Sequence, residues 1–272
     1  MPRQFISEFL EVEGLKAHVW HGGEGAALLL MHGAGPGTSA AGNFIKVRDS
    51  LADRYLVYGT DMIGFGESDR KVSPPYFDYD LWLKQMQAVL DSIPASSVGL
   101  IGHSISATYA IRLAGTSSKV DKVLLTCPIG TDLEPNSDLD ILWSFPEDEQ
   151  ALRRSLSVLI NRRELITDEL VKSRMEILGA PGYDQYFKQV FAGDKKELLR
   201  PTILSGQELQ AVNCPVSIIH GKNDLAFPYE ETAALLLKGL PQADLHLLSA
   251  CSHGPAFERS ETFLEIAFNF FR

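Results

Sequence analysis

Three polar side chains, each at the end of a predicted buried strand, could together perform nucleophilic catalysis. Ser104 lies at the centre of the segment GHSIS, residues 102–106. The pattern G-x-S-x-G between a strand and a helix is typical of a nucleophile elbow, a tight turn that holds the serine oxygen at the edge of a sheet. Such a serine needs a base and an acid that orients the base. His253 and Asp224 follow the last two predicted strands in the expected chain order, so the sequence predicts a triad of Ser104, Asp224 and His253.

Other residues compete for these roles. Asp132 also follows a predicted strand and is the alternative acid. Asp224 could instead cap a turn or a helix, and His253 could be an ordinary surface histidine. Three other histidines are weaker candidates for the base because they lie inside a predicted strand or in the opening hairpin (His18, His21 and His246).

The glycine-rich segment HGAGPG, residues 32–37, follows the third predicted strand. It lacks the Gly-Lys-Ser/Thr ending of a phosphate-binding loop. A nucleophile elbow needs two backbone N–H groups that hold the oxyanion, one from the residue after the serine and one from this loop. We therefore predict Ile105 and Ala34 as the oxyanion-hole donors. Gly33 and Gly35 allow the backbone to approach a ligand closely, and we expect both to contact substrate.

The elements that must position these residues alternate along the chain. An opening hairpin is predicted at residues 7–14 and 15–21. Six further apolar runs are predicted strands: 26–33, 55–62, 96–103, 120–128, 214–221 and 243–250. Helical patterns lie between them, at 41–53, 79–93, 106–115, 229–240 and 260–271. This alternation predicts an α/β fold, a mostly parallel twisted sheet with helices on both faces, whose strand ends meet at one edge.

Residues 131–209 interrupt the alternation, because they contain four amphipathic helical patterns and no convincing strand. An insertion of this length between two strands is more typical of a helical lid than of a loop. We therefore predict a core formed by residues 1–130 and 210–272, with a helical lid at 131–209.

Composition excludes several classes of function. The chain has 272 residues and a net charge of −10, without a basic cluster, which argues against nucleic-acid binding. No apolar run is long enough to span a membrane, and no signal-peptide pattern is present, so we expect a cytoplasmic protein. Three scattered cysteines predict reduced thiols rather than disulfides or a metal site. No metal or organic cofactor is expected, since no metal-ligand or dinucleotide motif occurs.

Four stretches resemble the meta-cleavage product hydrolases, enzymes of the α/β-hydrolase fold that split a C–C bond in ring-opened aromatic compounds. DMIGFGESDR, residues 61–70, is typical of the whole superfamily. HGAGPGTSAAGN, residues 32–43, is similar to a family loop whose final asparagine contacts substrate, here Asn43. ITDELVKSRMEI, residues 166–177, resembles a lid helix whose arginine binds the substrate carboxylate. CSHGPAFE, residues 251–258, matches the segment of the catalytic histidine.

The resemblance implies a hydrolase for a 2-hydroxy-6-oxo-dienoate type of keto acid, with Ser104 as nucleophile or as the group that activates the ketone or water. It implies Arg174 as the partner of the substrate carboxylate. From the residues alone, an arginine in a lid helix is more often a solvated residue, which here could pair with Glu169 or Glu176, than a ligand of a carboxylate. The expected partner is a small carboxylate, and the expected assembly is a homodimer.

Three positions depart from the family pattern. His103 replaces an asparagine before the serine, Ser106 replaces the last glycine of the elbow, and Gly254 replaces an aromatic after the histidine. We expect His103 to border the substrate, and Gly254 to reshape the pocket. The alternatives are an esterase or amide hydrolase, for which the same triad serves, and a ligand receptor without catalysis.

Overall fold

The computed structural model describes residues 4–272, and a single eight-stranded sheet organises them. The strands are β1 (Ile6–Val12), β2 (Leu15–Gly22), β3 (Ala27–Met31), β4 (Leu56–Thr60), β5 (Val98–His103), β6 (Val120–Thr126), β7 (Val216–Gly221) and β8 (Ala243–Leu248). Their order in the sheet is β1-β2-β4-β3-β5-β6-β7-β8. The pairs β1–β2 and β2–β4 are antiparallel, and all others are parallel. All eight predicted strands are present.

Helices cover both faces of the sheet, as the continuous apolar strands require. Every residue of β3, β5 and β7 is buried. The core helices are α1 (Ala40–Asn43), α2 (Arg48–Ala52), α3 (Tyr79–Ser92), α4 (Ser106–Thr116), α11 (Ala233–Gly239), α12 (Pro255–Glu258) and α13 (Ser260–Phe270). Two clusters of buried apolar side chains lie on opposite sides of the sheet. The mostly parallel sheet between two helical layers is therefore confirmed.

The single helix predicted at residues 41–53 is wrong. The chain instead forms α1 and α2, separated by residues 44–47. Phe44 and Val47 lie in this break, and both are fully buried. The break thus lets both apolar side chains reach the same core cluster, and it leaves Asn43 at the end of α1.

The insertion between β6 and β7 is helical throughout its regular structure. Its helices are α5 (Ser137–Leu142), α6 (Glu149–Leu159), α7 (Asp168–Leu178), α8 (Tyr183–Val190), α9 (Lys195–Leu199) and α10 (Gly206–Gln210), with short 3-10 turns at Arg163–Leu165 and Arg200–Thr202. A ring of aromatic contacts joins Trp143 and Phe191 of the insertion to Phe77 of the core. α10 packs against α4 and α11, so the end of the insertion lies against the core.

Within residues 4–272, no helix combines the length and the apolar character that crossing a bilayer requires.

Candidate active site

The turn between β5 and α4 has the geometry of a nucleophile elbow. Ser104 adopts a left-handed backbone conformation with φ of 57°, which is strained for any residue other than glycine. A Cβ at Gly102 would lie 2.7 Å from the carbonyl oxygen of Ser106, so a side chain does not fit there. Ser106 itself is accommodated, and its hydroxyl donates a hydrogen bond to the carbonyl oxygen of His32 at 2.5 Å.

The predicted acid and base lie next to each other at the same sheet edge. Asp224 follows β7, and His253 follows β8. The Nδ1 of His253 lies 2.6 Å from Oδ2 of Asp224, and both residues are buried. Because the carboxylate accepts the Nδ1–H, Nε2 of the imidazole is left to exchange protons at the cavity.

Two histidines, His220 and His253, lower the pKa of Asp224. Burial alone would raise the pKa of Asp224, but the charge of His253 and hydrogen bonds from His220 and His253 outweigh it and hold the pKa below its ordinary value. His220 Nε2 lies 3.3 Å from the same carboxylate oxygen. The backbone N–H of Phe227 donates to Oδ1 of Asp224 at 3.1 Å. The carboxylate therefore stays charged and has a fixed orientation.

Ser104 and His253 open into one cavity of about 280 Å³ between the sheet edge and the insertion. Within the described part of the chain, the Ser104 hydroxyl has no hydrogen-bond partner, which leaves it free to meet a ligand. The ring of Phe227 packs 5.0 Å from that of His253. Most of the remaining wall is apolar and comes from the insertion (Leu142, Trp143, Leu156, Leu159, Ile160 and Leu170).

In the segment 32–37, the backbone N–H of Ala34 has no hydrogen-bond partner among the described residues, whereas those of the three glycines do. Gly33 N–H donates to Oδ1 of Asn43 at 3.1 Å, Gly35 N–H to Oγ1 of Thr38 at 3.2 Å, and Gly37 N–H to a tyrosine hydroxyl. Among the hydrogen bonds of the described residues, none uses the N–H of Ala34 or of Ile105. These are the two donors that the sequence predicts for the oxyanion hole, and Ala34 borders the cavity next to Ser104.

Arg174 of α7 also borders the cavity, and its guanidinium has no carboxylate partner in residues 4–272. Its Nη1 donates to the carbonyl oxygens of Pro36 at 3.2 Å and Gly37 at 2.6 Å. Desolvation lowers the pKa of this guanidinium, although an arginine remains charged at neutral pH. The alternative pairing with Glu169 or Glu176 does not occur. An unpaired positive charge thus faces the same space as Ser104.

A sequence profile of the alpha/beta hydrolase fold matches residues 27–260. The chain belongs to the α/β-hydrolase family. The fold class predicted from the sequence is therefore confirmed.

Individual relatives of this α/β-hydrolase share one chemistry in their names. The chain is 27% identical to the 2-hydroxymuconate semialdehyde hydrolase of Pseudomonas sp. strain CF600, over 94% of this chain and 90% of that protein. It is 26% identical to the 2-hydroxy-6-oxo-2,4-heptadienoate hydrolase of Pseudomonas putida, over 97% and 96%. The solved structure of CumD, a meta-cleavage product hydrolase from Pseudomonas fluorescens IP01 in a serine-to-alanine form with acetates, superimposes with a TM-score of 0.91 at 26% identity, covering 97% of each chain. The resemblance to meta-cleavage product hydrolases is thus confirmed.

The other residues predicted to bind substrate lie at the same cavity. Gly33, Gly35, Asn43 and His103 all border the cavity. His103 Nδ1 lies 3.0 Å from Oγ1 of Thr126. Burial and the neighbouring charge of His253 lower the pKa of His103 well below its ordinary value, so its ring stays neutral.

The alternative acid lies away from this site. Asp132 is largely exposed and forms an ion pair with Lys196, with Nζ 2.7 Å from Oδ1. The geometry therefore favours Asp224 over Asp132 as the partner of His253.

Cys127, Asp224 and His253 form a set of side chains whose possible ligand atoms lie within 4.8 Å of one another. A metal site does not suit them, because burial raises the pKa of the Cys127 thiol well above its ordinary value and keeps it protonated. Asp224 and His253 are already bonded to each other.

Gly254, which replaces the family aromatic, also borders the cavity. A Cβ at this position would lie 3.7 Å or more from its neighbours, so a side chain would fit there. The glycine therefore leaves space for a Cβ next to His253.

Several residues that contact the glycine-rich loop or the acid escaped the sequence prediction. Trp143 Nε1–H donates to the carbonyl oxygen of Ala34 at 3.3 Å, and the hydroxyl of Tyr183 accepts from Gly37 N–H at 3.2 Å. Both belong to the insertion and are remote in sequence from the loop, so no local pattern indicates them. His220 is different, because its spacing of four residues from Asp224 could have suggested a contact.

Proposed function

We propose that this α/β-hydrolase hydrolyses the C5–C6 bond of a 2-hydroxy-6-oxo-2,4-dienoate, a keto acid of the type that its relatives' names describe. The observation that carries this proposal is the shared cavity, in which an unpaired Arg174 and an unbonded Ser104 face the same space. A neutral ester offers no counter-charge to the partly buried guanidinium of Arg174, whereas a substrate carboxylate does.

The distribution of polar groups along the cavity supports an orientation for the substrate. Arg174 lies beside Gly37 and Gly42, at the glycine-rich loop. The carboxylate at C1 binds to this guanidinium, which can offer two N–H groups in a planar fork. The C6 carbonyl then lies at Ser104, and its apolar substituent contacts the side chains of the insertion.

The reaction begins with a proton transfer. The free Nε2 of His253 moves the proton of the 2-hydroxyl group to C5, so that C2 becomes a ketone and C3=C4 the remaining double bond. Ser104 Oγ then attacks C6 and gives its proton to His253. The N–H groups of Ala34 and Ile105 hold the resulting oxyanion, and Asp224 stabilises the imidazolium.

The C–C bond breaks as this intermediate collapses. The electron pair of C5–C6 passes through the conjugated chain to the oxygen at C2, which takes the proton from His253. The products at this stage are a 2-hydroxypentadienoate and an acyl group on Ser104. Water then attacks the acyl group and loses a proton to His253, and the serine oxygen recovers that proton. One water molecule is consumed, and a carboxylic acid is released.

The test uses 2-hydroxy-6-oxo-2,4-heptadienoate, whose conjugated dienol absorbs visible light. Cleavage of C5–C6 releases acetate, which can be quantified, and water labelled with oxygen-18 should label that acetate. We expect turnover by the wild-type enzyme and a loss of at least about 10³-fold in kcat for Ser104→Ala, with unchanged circular dichroism. Asp132→Asn is the matched control and should keep its activity, because this carboxylate lies at the surface.

Two results would contradict the proposal. Hydrolysis of aryl esters with no acetate from the keto acid would indicate an esterase on the same scaffold. Binding of the keto acid without any product would indicate a receptor.

A further inference from the structure

The peptide unit that joins Gly33 to Ala34 has an unusual set of contacts. Its N–H, on Ala34, has no hydrogen-bond partner among the described residues, and Ala34 borders the cavity. Its carbonyl oxygen, on Gly33, lies 2.7 Å from Nδ1 of His32. The peptide bond is trans, since the cis bond of the described chain lies at Pro74-Pro75. In a trans peptide the C=O and the N–H point in opposite directions, so whatever fixes this carbonyl also aims the N–H of Ala34.

The proton of the His32 ring has a defined position. The backbone N–H of Met62, just after β4, lies 2.9 Å from Nε2 of His32. A backbone N–H can only donate, so Nε2 must be the bare nitrogen and Nδ1 must carry the proton. The Gly33 oxygen can only accept, and it faces that Nδ1–H. Both contacts therefore require the same neutral tautomer.

The surroundings hold the ring in this place. His32 is fully buried, and the ring of Phe65 packs edge-on against it at 5.8 Å. Burial lowers the pKa of His32, which favours the neutral form. A side chain in place of the hydrogen of Gly33 would come within 2.9 Å of Ser104 Cβ, so the peptide unit lies directly against the nucleophile.

We infer that His32 is a positioning residue for the oxyanion hole: its Nδ1–H holds the Gly33 carbonyl and so aims the Ala34 N–H at the reacting oxygen. This inference rests on the proposed function, since it assumes that an oxyanion forms at Ser104. Met62 N–H, the imidazole and the peptide form a chain of hydrogen bonds, and each bond in such a chain strengthens the next. The Ala34 N–H thus becomes a better donor when negative charge develops.

The test compares three variants with the wild type on the same keto acid. His32→Leu removes both ring contacts. His32→Asn keeps a donor near the Nδ1 position and loses the acceptor for Met62 N–H. Tyr183→Phe is the matched control, because it removes a different hydrogen bond to the same loop.

We expect kcat to fall by about 10- to 100-fold in His32→Leu, somewhat less than for complete loss of an oxyanion donor. KM should change little, because Arg174 binds the ground state. His32→Asn should recover most of the rate, and Tyr183→Phe should lose less than about threefold.

A second measurement separates positioning from a general structural role. Phenylboronic acid forms a tetrahedral adduct on a nucleophilic serine and so requires the oxyanion hole, whereas a product dienoate requires only the carboxylate site. His32→Leu should weaken the boronic acid by the same factor as kcat and leave the product affinity unchanged. Equal weakening of both ligands would overturn the inference, as would a folded His32→Leu enzyme with wild-type kcat.

Nitrogen-15 NMR of the histidines in the wild-type protein provides a further test, which does not depend on whether His32→Leu folds. The signal of His32 is assigned by its absence from the spectrum of His32→Asn. The inference requires a protonated Nδ1 and a bare Nε2, and the reverse tautomer would overturn it. A wild-type enzyme that turns over neither keto acid nor ester would instead refute the proposed function and leave the tautomer result standing.

Discussion

Replacement of Arg174 by alanine gives the sharpest test of the substrate class. In the structure, Nη1 is occupied by the carbonyl oxygens of Pro36 and Gly37, so Nη2 and Nε remain for a substrate carboxylate. A hydrogen bond to a charged group contributes about 1.5–3 kcal/mol. Loss of one such bond therefore lowers kcat/KM for the keto acid by about 10- to 150-fold, since 1.36 kcal/mol corresponds to a factor of ten.

The assay must separate this loss from damage to the glycine-rich loop, because Arg174 also bonds to its carbonyl groups. A neutral aryl ester reports only the second effect, since it has no carboxylate. The informative quantity is thus the ratio of the two losses, measured as kcat/KM for each substrate on wild type and Arg174→Ala. Arg174→Lys should recover only part of the difference, because an ammonium cannot form the planar fork.

Equal losses for the keto acid and the ester would refute the reasoning. They would mean that Arg174 acts on the enzyme through Pro36 and Gly37 alone. The proposed carboxylate substrate would then lose its main support, and the esterase would become the better interpretation.

Further predictions concern the triad and the loop. Asp224→Asn should lower kcat by less than Ser104→Ala does but far more than Asp132→Asn does, and steady-state rates with the keto acid decide this order. The pKa of Asp224 is held below its ordinary value, so its charge stabilises the fold above about pH 4 and that contribution is lost as the pH falls. The difference in Tm between wild type and Asp224→Asn should therefore narrow in acid. Gly33→Ala should lower kcat by about 10²-fold in a folded protein, since its Cβ would press on Ser104 and His103 at 2.9 Å; an unchanged kcat would contradict so close an approach.

The sequence predicted the strands and the residues at their ends because both depend on local patterns. An apolar run between polar segments indicates a buried strand, and parallel strands bring their carboxyl ends to one edge. Ser104, Asp224 and His253 could therefore be placed together without knowledge of any contact. The helix at 41–53 could not be predicted correctly, because its interruption at residues 44–47 depends on the burial of Phe44 against a distant part of the core.

Local sequence patterns could not predict the contacts between the insertion and the core. Trp143 and Arg174 bond to the backbone of residues 34–37 across more than a hundred residues of chain. Their side chains are ordinary for amphipathic helices, and periodicity reveals which face is apolar but not which backbone oxygen a nitrogen will reach. Such contacts arise from tertiary packing and become visible only in the structure.

Ser106 forms a contact that the elbow motif does not indicate. By size alone, serine merely substitutes for the small glycine that the elbow demands. In the structure its hydroxyl bonds to the carbonyl oxygen of His32 and so ties α4 to the glycine-rich loop. The N–H of Gly33 donates to Asn43, and the carbonyl oxygen of Gly33 accepts from His32. The carbonyl oxygen of Ala34 accepts from Trp143. Successive peptide units are thus fixed by side chains from different elements, and the Ala34 N–H is left free between them. The loop motif predicts where the donor lies, whereas its rigidity, on which oxyanion stabilisation depends, is a property of the assembled fold.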